Sequence, residues 1–294
     1  MIYIKLLLTA FFWGGTFVAG RILKDNVGPF SAAFLRFAVA SILLLAIVRR
    51  NDGCFPQLKR SQWLPVALLG LTGVFAYNAF FFKGLQLISA GRASLIIATS
   101  PVLIAIFSAW VYGEKLSPVK ITGILVSVAG AMVVISKGSL VAIFRNGLGT
   151  GELMIFGCVA SWVAYSLLGK SVMATISPLV AVAYSAAVGA VFLFLPAWAE
   201  GLPGDLQRYT PTEWAGIIYL GLFGTVIGFV WYYEGIRKLG ALRAGLFINF
   251  VPISAIILAF LLLAEPVTVS LLVGAGLVVT GVYLTNRPVR EIRR

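Results

Sequence analysis

Residues 84–130 read GLQLISAGRASLIIATSPVLIAIFSAWVYGEKLSPVKITGILVSVAG, and residues 235–281 read GIRKLGALRAGLFINFVPISAIILAFLLLAEPVTVSLLVGAGLVVTG. Laid over each other without a gap, at an offset of 235 − 84 = 151, they share Gly84 with Gly235, Arg92 with Arg243, Ala93 with Ala244, Leu95 with Leu246, Ile97 with Ile248, Pro101 with Pro252, Glu114 with Glu265 and Gly123 with Gly274. The glycine, proline and charged matches stand among interchangeable aliphatic residues, so they mark duplication and not shared composition. A duplicated apolar helix pair predicts a repeat-built membrane bundle, an architecture typical of carriers.

The repeat extends outward on both sides. Trp13 matches Trp162 and Pro29 matches Pro178 at an offset of 149, while Trp63, Gly70, Leu71 and Gly73 match Trp214, Gly221, Leu222 and Gly224 at 151. Two additional residues in one loop reconcile the offsets, and the halves divide as 1–142 and 143–294. Hydrophobic residues make up 60% of the chain and charged ones 11%, with a mean hydropathy of +1.00. A water-soluble surface needs far more charge. Roughly 20 helical residues span the hydrocarbon core, and the apolar runs predict ten spans: 3–22, 31–48, 63–82, 92–112, 118–136, 151–170, 178–198, 213–233, 242–263 and 268–286. The fold class is therefore an all-α integral membrane protein. Five helices per half is an odd number, so the second half enters the membrane from the opposite side and the repeats are inverted.

Lysine and arginine set the orientation, because short cytoplasmic loops retain positive charge. With the N-terminus inside, the inner side receives Lys5, Arg49, Arg50, Lys59, Arg60, Lys115 and the C-terminal arginines among the 23 basic residues. Both termini are then cytoplasmic and the first helix is an uncleaved anchor, in a bacterial inner membrane. The net charge of +13 follows from this topology and from contact with anionic lipid. Nucleic acid is not an expected partner, since the basic residues form no stripe with interleaved aromatics. The chain has no histidine and only Cys54 and Cys158, so neither a metal, a cofactor nor a disulfide is expected.

Several motifs carry a family resemblance: Trp-Gly-Gly-Thr-Phe at 13–17, Gly-Arg-Ala at 91–93, and Gly-Glu-Lys-Leu-Ser at 113–117 echoed by Ala-Glu-Pro-Val-Thr at 264–268. With two inverted fives of helices, these residues resemble the EamA family of the drug/metabolite transporter superfamily over nearly the whole chain. Within it the general likeness is to YddG-type exporters of aromatic amino acids. The resemblance implies a ten-helix carrier with a central cavity and leaves the substrate open.

Pro101 and Pro252 stand mid-helix in equivalent places. Each removes an amide hydrogen and clashes with the carbonyl four residues back, which frees the carbonyls of Ile97 and Ile248. They are either packing kinks kept from the duplication or hinges beside the cavity. Glu114 and Glu265 end those helices on opposite faces of the membrane, where the macrodipole disfavours a carboxylate. Each either bonds nearby free amides in its hairpin or takes part in gating or proton relay. The candidate substrate surface is aromatic and weakly polar: Trp13, Tyr77, Asn78, Phe81, Trp162, Tyr232 and Asn249. Buried asparagines in hydrocarbon must be hydrogen-bonded, so Asn78 and Asn249 face the bundle interior, as glue between helices or as ligands.

No Asp, Glu, Lys or His stands near the centre of a predicted helix; Arg36, Lys83 and Arg92 are the deepest charges, all toward the outer side. Proton-coupled antiporters place a carboxylate or histidine in the membrane. Its absence predicts an uncharged cavity, and a facilitator or a carrier coupled in another way. An enzyme is not expected, since no nucleophile stands with a base, and no helix carries the polar stripe of a channel. The expectation is export of small metabolites, aromatic and other neutral amino acids foremost. The alternative is a drug or other metabolite exporter of the same superfamily, proton-coupled. A monomer is compatible with this plan.

Overall fold

The computed structural model describes residues 1–112, 117–136, 148–239, 244 and 247–285. The expectations for Glu114, Lys115, Arg243 and Leu246 lie outside the described residues. Among these residues the regular structure is helical throughout, without a strand. Eight helices are long and apolar enough to cross a membrane: α1 (Ile2–Leu23), α2 (Pro29–Asp52), α3 (Arg60–Leu87), α4 (Ala90–Val111), α5 (Pro118–Ile135), α6 (Thr150–Gly169), α7 (Pro178–Ala199) and α8 (Pro211–Gly235). Two shorter apolar helices follow, α9 (Phe247–Leu263) and α10 (Val269–Thr285).

Helix starts follow from local chemistry. Ser89, Ser117 and Ser177 each accept a hydrogen bond from the amide three residues on, and Thr268 does the same for Leu271, satisfying donors that a helix N-terminus leaves open. Thr210 and Glu213 form a capping box ahead of α8. At α2 the cap comes from elsewhere in the chain. Glu200, just past α7, accepts from the amides of Phe30 and Ser31 at 3.1 and 2.8 Å.

Four helices are not plain α-helices. In α3 and α8 a π-helical turn is inserted, at Gly70–Ala76 and Leu222–Ile227, and Gly73 and Gly224 of these segments are repeat mates. The fourth helix, expected as one kinked span, runs over Ala90–Ile97 and restarts at Ser100–Tyr112, so Pro101 stands in a first turn, where its missing amide costs nothing. Pro252 likewise stands in the first turn of Phe250–Leu263, after a 3₁₀ turn at Phe247–Asn249. The Ile97 carbonyl accepts a hydrogen bond from the Ser100 hydroxyl at 2.6 Å, so it has a partner within the chain.

Packing crosses between the halves. Helix α1 lies against α8 and α9, and α6 lies against α3 and α4, while α2 pairs with α7 and α5 with α10. Small residues allow this, since helices in lipid associate through close van der Waals contact. At the α5–α10 crossing a Cβ on Gly123 would come within 2.6 Å of the Gly281 carbonyl, and one on Gly130 within 2.9 Å of the Gly274 carbonyl. As the number rises along α5 it falls along α10, so these two repeat-related helices run antiparallel. Large side chains such as Trp110, Leu125, Leu195 and Leu262 point outward and are exposed, a surface suited to lipid.

Helix α9 ends on Ala264, the non-glycine residue with positive φ (52°) among those described. The left-handed conformation costs a non-glycine residue roughly 1–2 kcal/mol, partly offset for glycine by its greater entropy loss. Ala264→Gly is therefore expected to stabilise the protein by about 0.5 kcal/mol, seen as a higher midpoint of thermal unfolding in detergent.

Candidate functional site

The two helices that carry π-helical turns, one from each half, are joined through Arg36 of α2. Arg36 is 8% exposed. Its Nε donates to Thr225 Oγ1 at 3.0 Å and its Nη1 to Asn78 Oδ1 at 3.1 Å. Both partners are anchored in turn: the Asn78 amide donates to the Val74 carbonyl at 2.7 Å and the Thr225 hydroxyl to the Leu220 carbonyl at 2.9 Å. The guanidinium also lies over the Phe37 ring, 5.1 Å from its centroid. The sequence reading placed Arg36 toward the outer side. The structure shows in addition that it is buried between helices of both halves, where Asn78 of α3 and Thr225 of α8 meet it.

Two aromatic groups flank this centre. Tyr77 stacks on Phe81 at 5.8 Å and approaches Trp162 at 5.6 Å, and Trp162 stacks on Tyr165 at 5.2 Å. On the other side Trp13 meets Tyr232 at 5.3 Å and Phe229 at 5.6 Å. Between the groups is a cavity of about 20 Å³, lined among others by Phe37, Trp162, Tyr165, Ser185, Thr225 and Phe229. That volume holds about one water, too little for an amino acid. A larger recess of about 400 Å³ lies at the start of α3, lined by Lys59, Gln62 and Thr175, away from the aromatic groups.

Of the predicted surface, Trp13, Tyr77, Phe81, Trp162 and Tyr232 fall into these groups, and Asn78 is 1% exposed with both ends of its amide engaged. Asn249 is set apart, in the 3₁₀ turn that opens α9 and packs on α1 and α10. Trp13 Nε1 donates to the Gly224 carbonyl at 3.1 Å, inside the second π turn, whereas its mate Trp162 has no acceptor for its indole among the described residues. Trp13→Phe strands that carbonyl, and a buried unpaired acceptor costs ~1–3 kcal/mol. Its unfolding midpoint is expected to fall clearly below that of Trp162→Phe.

The end away from the N-terminus is held by carboxylates. Glu265 accepts from the amides of Ala90 and Gly91 at 3.0 and 3.4 Å and pairs with Arg21 Nε at 3.3 Å. It thus caps α4 of the other half and not its own hairpin. Glu152 pairs with Arg92 at 2.8 Å, and Glu213 accepts from Asn26 at 2.7 Å. At the N-terminal end Lys5 and Lys238 both reach Glu234, at 2.6 and 2.8 Å. Sequence reasoning missed Glu152, Glu200 and Glu213, although the Thr210-Pro-Thr-Glu213 capping pattern was visible in it. It also missed Arg36 as a centre, whose signal was one arginine in an apolar helix opposite one buried asparagine.

Residues 1–136 and 149–287 each match the EamA-like transporter family. The chain belongs to that family. An "Uncharacterized transporter YyaM" of Bacillus subtilis is 30% identical over 98% of this chain and 94% of its own length. An uncharacterized transporter of Archaeoglobus fulgidus is 33% identical over 97% of the chain and 98% of its own length. A protein of Streptantibioticus cattleyicolor named "Probable terminal-alkyne amino-acid exporter" is 31% identical over 98% of this chain and 94% of its own length. A crystal structure matches with a TM-score of 0.66 at 21% identity, covering 97% of both chains, which shows the fold alone. The EamA assignment makes the chain a multi-pass membrane transporter of small molecules.

Proposed function

We propose that this EamA-family chain is an exporter of small metabolites, aromatic and other neutral amino acids foremost, working by alternating access in a bacterial inner membrane. The observation that carries this reading is the meeting of two repeat-related π-turn helices at one buried centre flanked by aromatic rings. A π turn shifts the hydrogen-bond register of a helix and is a common site of function. Aromatic rings at a closed cavity suit an aromatic or apolar side chain. The amino-acid exporter among the relatives supports the substrate class.

The transport mechanism rests on ten helices in two inverted repeats, 1–142 and 143–294, with both termini cytoplasmic. The antiparallel contact of α5 with α10 and the two separate family matches support this plan. Exchange of conformation between the halves then turns a cavity open to one side into one open to the other. Pro101 and Pro252, each starting a helical segment after a break, are the proposed hinges. Glu265, tying α1 and α9 to the start of α4, is the proposed gate element, with Glu114 as its repeat mate in sequence.

Uptake of radiolabelled phenylalanine, tryptophan and threonine into liposomes holding the purified protein tests the reading. Saturable uptake above empty liposomes, continuing without an imposed pH gradient, is the expected result. Uptake no greater than in empty liposomes for all three would overturn the amino-acid assignment.

A further inference from the structure

We infer that Arg36 is the docking point for a carboxylate on the transported molecule, an inference that rests on the carrier reading and narrows its substrate to carboxylate-bearing compounds. A guanidinium withdrawn from water is costly unless its charge is met. Among the described residues nothing meets it with an opposite charge. No carboxylate pairs with Arg36 among the described residues, and its two partners, Asn78 and Thr225, are neutral. The carboxylates nearest in function are committed elsewhere: Glu265 to Arg21, Glu152 to Arg92 and Glu234 to Lys5.

The pairing uses only part of the guanidinium. It has five N–H donors in a planar fork, and those of Nη2 have no acceptor among the described residues. Thr225, which holds Nε, also lines the small cavity together with Ser185 and Trp162. Ser185 occupies the place of Arg36 in the second half, at the offset of 149 that relates Trp13 to Trp162. The cation is thus an asymmetric feature laid on a symmetric frame, which argues for a ligand and against a packing need common to both halves. A carboxylate entering as the cavity opens would meet the buried charge and accept from the unused donors, with its side chain against Trp162, Tyr165 and Phe229. Asn78 and Thr225 act through the guanidinium, since both fix the fork in place.

The chemistry predicts an order of ligands, read by quenching of intrinsic tryptophan fluorescence on the purified full chain. Phenylalanine and 3-phenylpropionate, which share the carboxylate, should bind the unaltered protein at least ~10-fold more tightly than phenethylamine, which lacks it; hydrogen bonds to a charged group are worth ~1.5–3 kcal/mol, or roughly 10- to 100-fold. Arg36→Gln should weaken both carboxylates by that factor and leave phenethylamine within about twofold. Arg36→Lys, a point charge without the fork, should fall between. Thr225→Val should weaken the carboxylates a few-fold through loss of positioning.

Phenethylamine binding the unaltered protein as tightly as 3-phenylpropionate would overturn the inference, with no variant needed. So would Arg36→Gln and Arg36→Lys weakening all three ligands alike, the mark of a fastener between helices. The amino-acid reading fails separately. If 3-phenylpropionate binds and depends on Arg36 while no amino acid is transported, the carboxylate site stands and that reading falls. If amino acids are transported with an unchanged carboxylate preference in Arg36→Gln, that reading stands and the site falls.

Discussion

Gly281→Leu is expected to abolish the folded protein, or to leave a small fraction with a greatly lowered unfolding midpoint. A Cβ at Gly281 would stand 2.3 Å from the Ser127 amide nitrogen and 2.6 Å from the Gly123 carbonyl oxygen. Both neighbours are backbone, so no side chain can turn away, and α5 and α10 would have to move apart along their whole crossing. Overpacking a core costs ~1–3 kcal/mol where side chains can shift and more where they cannot. In lipid the helices have little besides such contact to hold them. Gly276→Leu on the same helix supplies the control, because nothing lies within 4 Å of a Cβ there. Size-exclusion profiles and thermal unfolding in detergent should show loss for Gly281→Leu and an ordinary profile for Gly276→Leu. Equal behaviour of the two would contradict the α5–α10 packing.

Glu152→Ala is expected to destabilise by about 3 kcal/mol, the largest effect of removing one charge at the end away from the N-terminus. The Glu152 and Arg92 side chains are 7% and 16% exposed and meet at 2.8 Å. Arg92 Nη2 also donates to the Ile135 carbonyl, and its Nε has no partner among the described residues. With Glu152 gone, a buried guanidinium keeps its desolvation cost and loses its counter-charge, and breaking such a pair from one side typically costs ~3–5 kcal/mol. Removing both charges should recover part of the loss, since the cost lies chiefly in the charge left behind. Unfolding midpoints for Glu152→Ala, Arg92→Leu and the double variant check this. A double variant less stable than Glu152→Ala would contradict it.

The membrane class and the places of the helices among the described residues were legible in the sequence because they rest on composition and on the length of the apolar runs. Pairing of α5 with α10 could be anticipated in kind, since Gly123, Gly130, Gly274 and Gly281 are a small-residue stripe on repeat-related helices. The π turns of α3 and α8 were not legible: one residue more per turn leaves hydropathy almost unchanged, and the only trace was the matched glycines. Arg36 was seen as one of the deepest charges but not as a centre, because its surroundings are made by α3 and α8, far away in the chain. For Glu265 the hairpin alternative looked only to amides beside it in sequence, whereas the amides it caps belong to α4 of the other half.

In the proposed mechanism the two halves carry an amino acid around one enclosed centre and are never open to both sides at once. Counterflow tests this directly: liposomes holding the protein and loaded with unlabelled phenylalanine are diluted into a trace of the labelled compound. A transient accumulation of label several-fold above its equilibrium level is expected, absent from liposomes without the protein. Label that rises only to equilibrium, at a rate linear in concentration, would mean an open pore or no transport of this substrate, and would contradict this mechanism.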